Sequence, residues 1–338
     1  MTELSDAWEK LHAHSEDEQG FVRLRLSSVG ACATYAARRI SNGLEALILE
    51  VSTASLPKLI AYPHSVGFEI IGEPLEPGRS GRTRLLLSLT NARFQDIFQP
   101  LCTDVVRHLS TAINETEAVR TFISRLVRWQ AFLRRYDPAG LSLEERRGLY
   151  GELTFLSNLL SHGLPSHEAV HAWKGSKGAN HDFQLPSGSV EIKATSANTP
   201  HSIHISNVGQ LDEQGVNALF LLLITLDENE GGESSLPELI HLIRSKLEGI
   251  AADDFEESLI DARYLDLHAE IYSSPRYTIR SKRFFRVLDG FPRLLANALP
   301  SGVEDVRYSV AVAACVAFEC SEQQMLELTL TKPLPLDD

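Results

Sequence analysis

The sequence predicts an α/β protein, α+β overall, with an αβββαβ core at residues 140–230, and three patterns indicate this class. Between residues 20 and 95, short apolar alternations are separated by glycine, proline and serine, which is typical of an antiparallel sheet. Residues 93–136 carry apolar side chains at helical spacing. The run NALFLLLITLD at 217–227 is apolar enough for a strand that is buried on both faces.

Changes in these patterns divide the chain into four predicted segments. With 338 residues, of which 43% are apolar and 23% charged, the chain can bury more than one core. In chain order we predict a β-rich amino-terminal domain at 1–110, a helical connector at 111–139, the core at 140–230, and a helical and mixed α/β unit at 231–338. The DPAG turn at 137–140 ends the connector.

Local signals place the elements of the core. Ser142 fits the N-cap of a helix that has two glutamates in its first turn and ends near Gly163. Three strand-like runs follow: EAVHAWKG, HDFQL and SVEIKAT. We then expect a short amphipathic helix at about 206–214 before the buried strand. In the last segment, a helical stretch at about 236–262 precedes YTIRSKRFFRVLDGFPRLL and a strand-like run, VRYSVAVAACVAF.

Composition and charge argue against several classes of protein. A net charge of −13 does not suit a protein that coats nucleic acid by bulk attraction. Arginine-rich stretches at 120–150 and 276–293 fit either solvated surfaces or a polynucleotide contact. No run reaches the roughly 18 apolar residues of a membrane helix, the amino terminus is acidic, and the four cysteines suit a reducing compartment. We therefore expect a soluble cytoplasmic protein that does not bind a membrane.

A glutamate and a lysine two residues apart interrupt the run SVEIKAT. Because side chains alternate along a strand, Glu191 and Lys193 emerge on one face while Ile192 takes the other. Asp182 stands on the partner strand across the PSGS hairpin, and the main-chain carbonyl of Ile192 lies between the charged pair. Hard oxygen ligands of this kind hold Mg²⁺ for phosphodiester hydrolysis, with Mn²⁺ as a substitute. The segment therefore predicts a metal site made of Asp182, Glu191 and the Ile192 carbonyl.

Three further side chains complete the predicted catalytic site. Lys193 would orient or help deprotonate the attacking water and offset charge on the phosphate. Glu152 would reach the same edge from the preceding helix as a further metal ligand, and Gln210 would hydrogen-bond Lys193, the water or a phosphate oxygen. The Glu191–Lys193 pair also fits an exposed cross-strand pair worth about 0.2–1 kcal/mol. Glu152 also fits an exposed helix residue, and Gln210 one that caps its helix.

Residues that precede Asp182 are candidates for contact with a polynucleotide. Lys174 and Lys177, in a glycine-bearing loop, are placed to contact a phosphate backbone, although loop lysines are often only solvated. His181 should face away from Asp182, which fits packing or a DNA contact better than metal ligation. Zinc is disfavoured, since the other histidines fall on different elements and would not converge.

The order of elements, with Asp182 and Glu191-Ile-Lys193 on the central hairpin, resembles the PD-(D/E)XK nuclease superfamily. Within it, the sequence is similar to bacterial "PD-(D/E)XK motif" proteins found among restriction and phage-defence genes. The segments that carry this likeness are AWEKL, GELTFL, HDF…VEIKAT, HISNVGQLD and FRVLDGFPRL. Asp182, Glu191 and Lys193 match the motif, while Glu152 and Gln210 correspond to auxiliary positions. His181 replaces the motif's proline, and Gln214 stands where some relatives carry tyrosine.

The resemblance implies a restriction-endonuclease-like core and a Mg²⁺-dependent DNA endonuclease in a restriction or phage-defence system. The alternative is a catalytically silent or partner-dependent subunit that scaffolds a multi-protein defence or DNA-repair complex. The acidic net charge favours this alternative. Hydrolysis of RNA is a third option. Besides DNA, one expected partner is an ATPase or methyltransferase encoded nearby, because no Walker-type phosphate loop is present and ATP use would require another protein. The other is a second copy of the chain, because cutting both strands takes two active sites or sequential action.

Overall fold

The chain forms two compact units, residues 1–136 and 137–338, in a computed structural model. The structure describes residues 3–13, 20–57, 62, 63, 65, 67–75 and 81–331. The outer ends of the predicted segments 1–110 and 231–338, and parts of the acidic amino terminus, lie outside the described residues.

The first unit is an antiparallel sheet with helices. Its elements are α1 (Glu3–His12), β1 (Phe21–Leu26), β2 (Ala33–Arg39), β3 (Glu45–Ser52), β4 (Phe68–Pro74), β5 (Arg82–Leu89), α2 (Gln95–Leu109) and α3 (Glu115–Leu133). The strand order is β1-β2-β3-β5-β4, and every neighbouring pair is antiparallel. The predicted antiparallel sheet is therefore present, and the helical spacing at 93–136 corresponds to α2 and α3.

A buried ion pair joins these two helices. The Asp104 carboxylate accepts hydrogen bonds of 2.9 Å from Nε and Nη2 of Arg125 and from Nε1 of Trp129. Burial by itself raises the pKa of Asp104, but the hydrogen bond from His108 and the charge of Arg125 outweigh it and hold the pKa at about 2. The pair therefore stabilises the fold only while Asp104 is ionised.

We expect Asp104→Ala to lower the free energy of unfolding by about 3 kcal/mol, because it leaves the Arg125 charge buried without its carboxylate. Since the pKa of Asp104 is lowered by folding, this difference is full above the unfolded-state pKa of about 4 and shrinks as pH falls toward 2. Urea unfolding of both proteins at several pH values measures it. Asp96→Ala, an exposed position on the same helix, is the control, and an equal loss in both variants would contradict the prediction.

The second unit contains a mixed five-stranded sheet. Its elements are α4 (Leu143–Ser161), α5 (Ser166–Ala172), β6 (Phe183–Leu185), β7 (Gly188–Thr195), β8 (Ser202–Ile205), β9 (Leu219–Asn229), α6 (Leu236–Arg244), α7 (Gly249–Asp261), α8 (Ala269–Tyr272), β10 (Arg276–Val287), β11 (Tyr308–Ala311), α9 (Val312–Cys315), β12 (Glu319–Cys320) and α10 (Glu322–Leu330). The strand order is β12-β10-β9-β7-β6, with β7 and β9 parallel, and β8 pairs with β11 in a separate two-stranded sheet.

The central strand β9 is buried on both faces, as its composition predicts. Leu222 and Ile224 belong to the apolar cluster that includes α4, while Leu221 and Leu223 belong to a second cluster on the opposite face. Strand β10 pairs with β9 along its whole length. Residues 231–338 therefore share a sheet with residues 140–230, and the mixed α/β class is confirmed.

Three local predictions are wrong in this unit. The run EAVHAWKG forms helix α5, and Trp173 alone makes an isolated antiparallel bridge, to Phe183. Residues 206–214 contain only a 3₁₀ turn at Val208–Leu211, which follows the unpredicted strand β8. In VRYSVAVAACVAF only Tyr308–Ala311 is extended before α9 begins. Short apolar runs do not distinguish strand from helix, because tertiary pairing decides between them.

Helix α4 begins where the sequence places it and packs tightly on β7. Ser142 and Glu145 form a reciprocal capping box, with Glu145 Oε2 accepting from the Ser142 N–H at 2.8 Å. Farther along, a Cβ atom on Gly151 would lie 2.9 Å from the Cβ of Ala194. The absence of a side chain at Gly151 therefore brings the helix against β7 just before Glu152.

Gly151→Ala is expected to destabilise the protein by about 1–3 kcal/mol, since the new methyl group forces α4 away from the strand. Gly148 lies in the same helix, and a Cβ there meets no atom within 4 Å. Gly148→Ala should instead be neutral or stabilising by up to about 1 kcal/mol through its helix propensity. Thermal unfolding of the two variants checks the contrast, and similar midpoints would show that the close approach is unimportant.

Six arginines of the two predicted arginine-rich stretches form ion pairs within their own units, two in the first stretch and four in the second. The ion pairs are Arg125–Asp104, Arg147–Glu228, Arg276–Glu238, Arg280–Asp227, Arg283–Glu319 and Arg293–Glu213. These contacts favour the solvated, self-paired interpretation of the two stretches. Within the described part of the chain, every helix is too short or too polar to cross a membrane.

Candidate metal centre

The predicted site residues meet at one edge of the sheet in the second unit. The hairpin register pairs Phe183 with Val190, so Asp182 stands beside Glu191 just beyond the end of β6. Strand β6 has three residues and β7 has eight, and β7 therefore continues past its partner. Helix α4 carries Glu152 to the same edge, where burial and then the charge of Asp182 raise the pKa of Glu152.

Main-chain groups fix the orientation of Asp182. Its Oδ2 accepts a 2.8 Å hydrogen bond from the N–H of Ile192. Its own carbonyl accepts hydrogen bonds from the N–H groups of Lys174, at 2.7 Å, and Gly175, at 2.9 Å. Because N–H and C=O of a strand residue point to the same side, the Ile192 carbonyl also faces the Asp182 side of β7. This is the orientation that the predicted ligand role of the carbonyl requires.

Two carboxylate oxygens border one small space beside Gly175. A Cβ atom on Gly175 would lie 2.6 Å from Oδ1 of Asp182 and 2.7 Å from Oε2 of Glu152. The same Oε2 accepts a 2.6 Å hydrogen bond from Nε1 of the buried Trp173. Only a residue without a side chain leaves this space open to an ion or a water molecule.

Glu191 is the most deeply buried of the three carboxylates, with 1% of its surface exposed. No described group donates a hydrogen bond to either of its oxygens. The ammonium Nζ of Lys193 lies 2.9 Å from Oε1 and forms an ion pair with it. Nζ also donates a 3.0 Å hydrogen bond to Oε1 of Gln210. Both residues of the Glu191–Lys193 pair lie on β7, and the pair is largely buried instead of the exposed pair of the alternative.

Burial raises the pKa of all three carboxyl groups, and repulsion from a neighbouring carboxylate adds to it at two of them. Burial is the largest cause for Glu152, Asp182 and Glu191. The Asp182 charge adds to it for Glu152 and Glu191, while the Lys193 ammonium opposes it at each of the three. One buried and two half-buried carboxylates beside a single cationic side chain among the described residues indicate a candidate functional site, because a structural ion pair needs only one carboxylate.

The donor set fits a hard divalent cation. Oxygens of Glu152 and Asp182 flank the space beside Gly175, Glu191 has unpaired buried oxygens, and a main-chain carbonyl faces the same edge. Mg²⁺ and Mn²⁺ prefer such oxygen ligands. Among the described residues, however, no three His, Cys, Asp or Glu side chains already form an ion-binding cluster.

Gln210 contacts Lys193, as predicted, but it lies in a 3₁₀ turn and not in the predicted amphipathic helix. It lies in the 3₁₀ turn Val208–Leu211, where its Oε1 accepts hydrogen bonds from Lys193 Nζ and, at 2.8 Å, from the N–H of Ser206. The turn is tight, since a Cβ on Gly209 would lie 2.9 Å from the side chain of Asn180. Gln210 thus holds the Lys193 ammonium at the site.

The predicted polynucleotide contacts lie in different surroundings. Lys177 is exposed, and Lys174 Nζ lies 3.3 Å from Nε2 of His171. Burial, and then the Lys177 charge, lowers the pKa of Lys174. His181 is only 4% exposed and packs near the main chain of Gly209 and Asp212. A direct contact with a phosphate backbone therefore suits the two lysines and not His181.

Sequence patterns did not identify Trp173 and Gly175 as parts of the site. One available signal was the tryptophan itself, because a buried indole N–H needs an acceptor, and Glu152 supplies it. Gly175 gave no signal beyond a glycine in a loop.

Comparisons with known proteins point to one family. A family model described as "Putative PD-(D/E)XK family member, (DUF4420)" matches residues 4–313. No curated protein and no solved structure matched the chain.

Proposed function

Because this chain belongs to the family described as "Putative PD-(D/E)XK family member", we propose that it is a Mg²⁺-dependent DNA endonuclease of a restriction or phage-defence system. One observation carries the proposal. Glu152, Asp182, Glu191 and Lys193 meet at the end of a short hairpin. Their carboxyl groups are shielded from solvent, and an ion pair with a purely structural role would not need three of them. Mn²⁺ would substitute for Mg²⁺.

Each site residue has a distinct role in this proposal. Asp182, Glu191, the Ile192 carbonyl and Glu152 would hold the cation. When bound, Mg²⁺ would polarise the phosphate and make a bound water more acidic. Trp173 keeps Oε2 of Glu152 turned toward Gly175 through its indole N–H. The two loop lysines, Lys174 and Lys177, would contact the phosphate backbone.

Lys193 and Gln210 would act on the water and the phosphate. The Nζ group of Lys193 is held between Glu191 Oε1 and Gln210 Oε1. From there it would orient the attacking water by a hydrogen bond and offset negative charge as it builds on the phosphate oxygens. Gln210 keeps Nζ in place, because its own oxygen is fixed by the Ser206 N–H.

Plasmid cleavage tests the proposal. Supercoiled DNA, methylated and unmethylated, is incubated with the protein and Mg²⁺ or Mn²⁺, beside a single-stranded RNA of the same length range. We expect nicked and linear DNA that disappears with EDTA and with Asp182→Ala. If the protein cleaves RNA and not DNA, RNA is its substrate. Cleavage that survives both EDTA and Asp182→Ala would overturn the metal mechanism.

A partner-dependent or silent subunit is the second candidate. The net charge of −13 and the self-paired arginines favour it, since an isolated nuclease usually presents a free basic surface. Such a subunit would scaffold a defence or DNA-repair complex, with a neighbouring ATPase or methyltransferase, or a second copy of the chain, as partner. Calorimetry with Mg²⁺ and co-purification with the products of adjacent genes distinguish the two, because a silent scaffold binds the partner but not the ion.

A further inference from the structure

A polar pocket lies beside the hairpin that carries the candidate metal centre. Its volume is about 570 Å³, within the range of small-molecule sites. Its walls are the hairpin residues 184–189, the loop 212–217, and Asn180 with His181. His181 directly precedes Asp182 in the chain. Ser189 lies two residues before Glu191 on the same face of β7, which places it ~7 Å away along the strand. The pocket and the carboxylates are therefore neighbours on one hairpin.

The polar groups of the pocket are mostly uncharged hydrogen-bonding groups. Amides come from Asn180, Gln184, Gln214 and Asn217, and a carboxylate comes from Asp212. No lysine or arginine is among the described residues that line it. A phosphate group would meet no cation here and one negative charge. The chemistry suits a neutral ligand that both donates and accepts hydrogen bonds.

A buried imidazole forms the inner wall. His181 is 4% exposed, and its Nε2 has no hydrogen-bond partner in the described part of the chain. An unpaired buried polar atom costs free energy, and a ligand that pairs with it recovers that cost.

We propose that this pocket binds one nucleobase of the DNA strand being cut, turned out of the base stack, next to the scissile phosphate. Amide side chains pair with the edge of adenine, and a carboxylate accepts from the amino group of cytosine. A base inside a duplex cannot enter a pocket of this kind, so it enters from a single strand or after extrusion. The pocket thus gives the nuclease a preference for the base beside the cut. This inference rests on the proposed function, since it assumes a polynucleotide at the metal centre.

Binding of single-stranded oligonucleotides tests it without cleavage. Fluorescence anisotropy in Ca²⁺ compares the 12-mers dA12, dC12 and dT12 with a 12-mer of abasic residues. We expect the wild-type protein to bind its best homopolymer ~10-fold more tightly than the abasic strand. The double variant Gln184→Ala/Asn217→Ala changes two exposed lining residues, and Asp212→Asn changes the carboxylate. Both variants should bind all four strands with the same affinity, equal to the affinity of the wild-type protein for the abasic strand.

Two further variants separate the possible outcomes. Gln323→Ala, an exposed amide on α10, should keep the base preference. Asp182→Ala should keep it as well while losing plasmid cleavage. Equal wild-type binding of all four strands, or a preference that survives the pocket variants, overturns the pocket even if the protein cuts DNA. A base preference without any metal-dependent cleavage would support the pocket and overturn the hydrolytic function.

Discussion

Replacing Lys193 with alanine is expected to lower Mg²⁺-dependent DNA cleavage by at least ~10³-fold. The Nζ ammonium of Lys193 lies 2.9 Å from Oε1 of Glu191. It also donates a 3.0 Å hydrogen bond to Oε1 of Gln210, which fixes its position. Alanine therefore removes the group that would orient the water and offset charge on the phosphate. The rate of plasmid nicking under single-turnover conditions measures the loss, with DNA in excess as a second condition to expose weaker binding.

Two checks make this result specific to the site. Lys246→Ala removes an exposed lysine whose Nζ donates a 3.2 Å hydrogen bond to Ser161 Oγ, and cleavage should stay within about 2-fold of wild type. Lys193→Ala also leaves Glu191 without its ion pair, so thermal unfolding must show that the variant is folded. A folded Lys193→Ala protein that cuts DNA at the wild-type rate would exclude Lys193 from the mechanism.

The second large effect is expected from Glu191→Gln in the absence of DNA. The buried carboxylate lies near two others, and the Lys193 ammonium, 2.9 Å from its Oε1, is its one cationic contact among the described residues. Burial raises the pKa of Glu191 well above its usual range, so ionising this carboxyl group in the folded protein costs free energy that an amide of nearly the same shape does not cost. We therefore expect the free energy of unfolding of the metal-free variant at pH 7 to be about 1–2 kcal/mol higher than that of the wild-type protein.

The same substitution should abolish stabilisation by metal. An ion that binds only the folded protein stabilises it by about 2.7 kcal/mol at a concentration of 100 times Kd. The wild-type protein should show such a gain with Mg²⁺ or Mn²⁺, whereas Glu191→Gln should show little. Thermal unfolding with and without the ion measures both effects, and Glu230→Gln, at an exposed position, should behave as wild type. An equal metal response in all three proteins would exclude Glu191 as a ligand.

Sequence patterns predicted the local parts of the site well. Alternation along a strand placed Glu191 and Lys193 on one face, and they lie 2.9 Å apart. The N-cap at Ser142 is present with its full capping box. These features depend on neighbours within a few residues, so the chain encodes them locally. The elements around residues 168–175 and 206–214 were predicted wrongly, because pairing with distant strands decides their conformation.

The contacts between distant segments had no local signal. Trp173 donates a 2.6 Å hydrogen bond to Glu152. No sequence pattern around either residue indicates that the two are in contact. The space beside Gly175 exists only because a loop crosses the end of the hairpin. The burial of His181 against the turn that carries Gln210 likewise follows from packing.

The sequence by itself determined the type, spacing and face of the candidate site residues, since it places an aspartate before a hairpin and a Glu-Ile-Lys run on the second strand. Tertiary structure alone decided that these groups share one buried edge with Glu152, because a glycine lets α4 approach β7 and brings that helix to the hairpin. The physical reason is that side-chain alternation is a property of one strand, whereas burial and the resulting rise in carboxyl pKa require elements far apart in the chain to pack together.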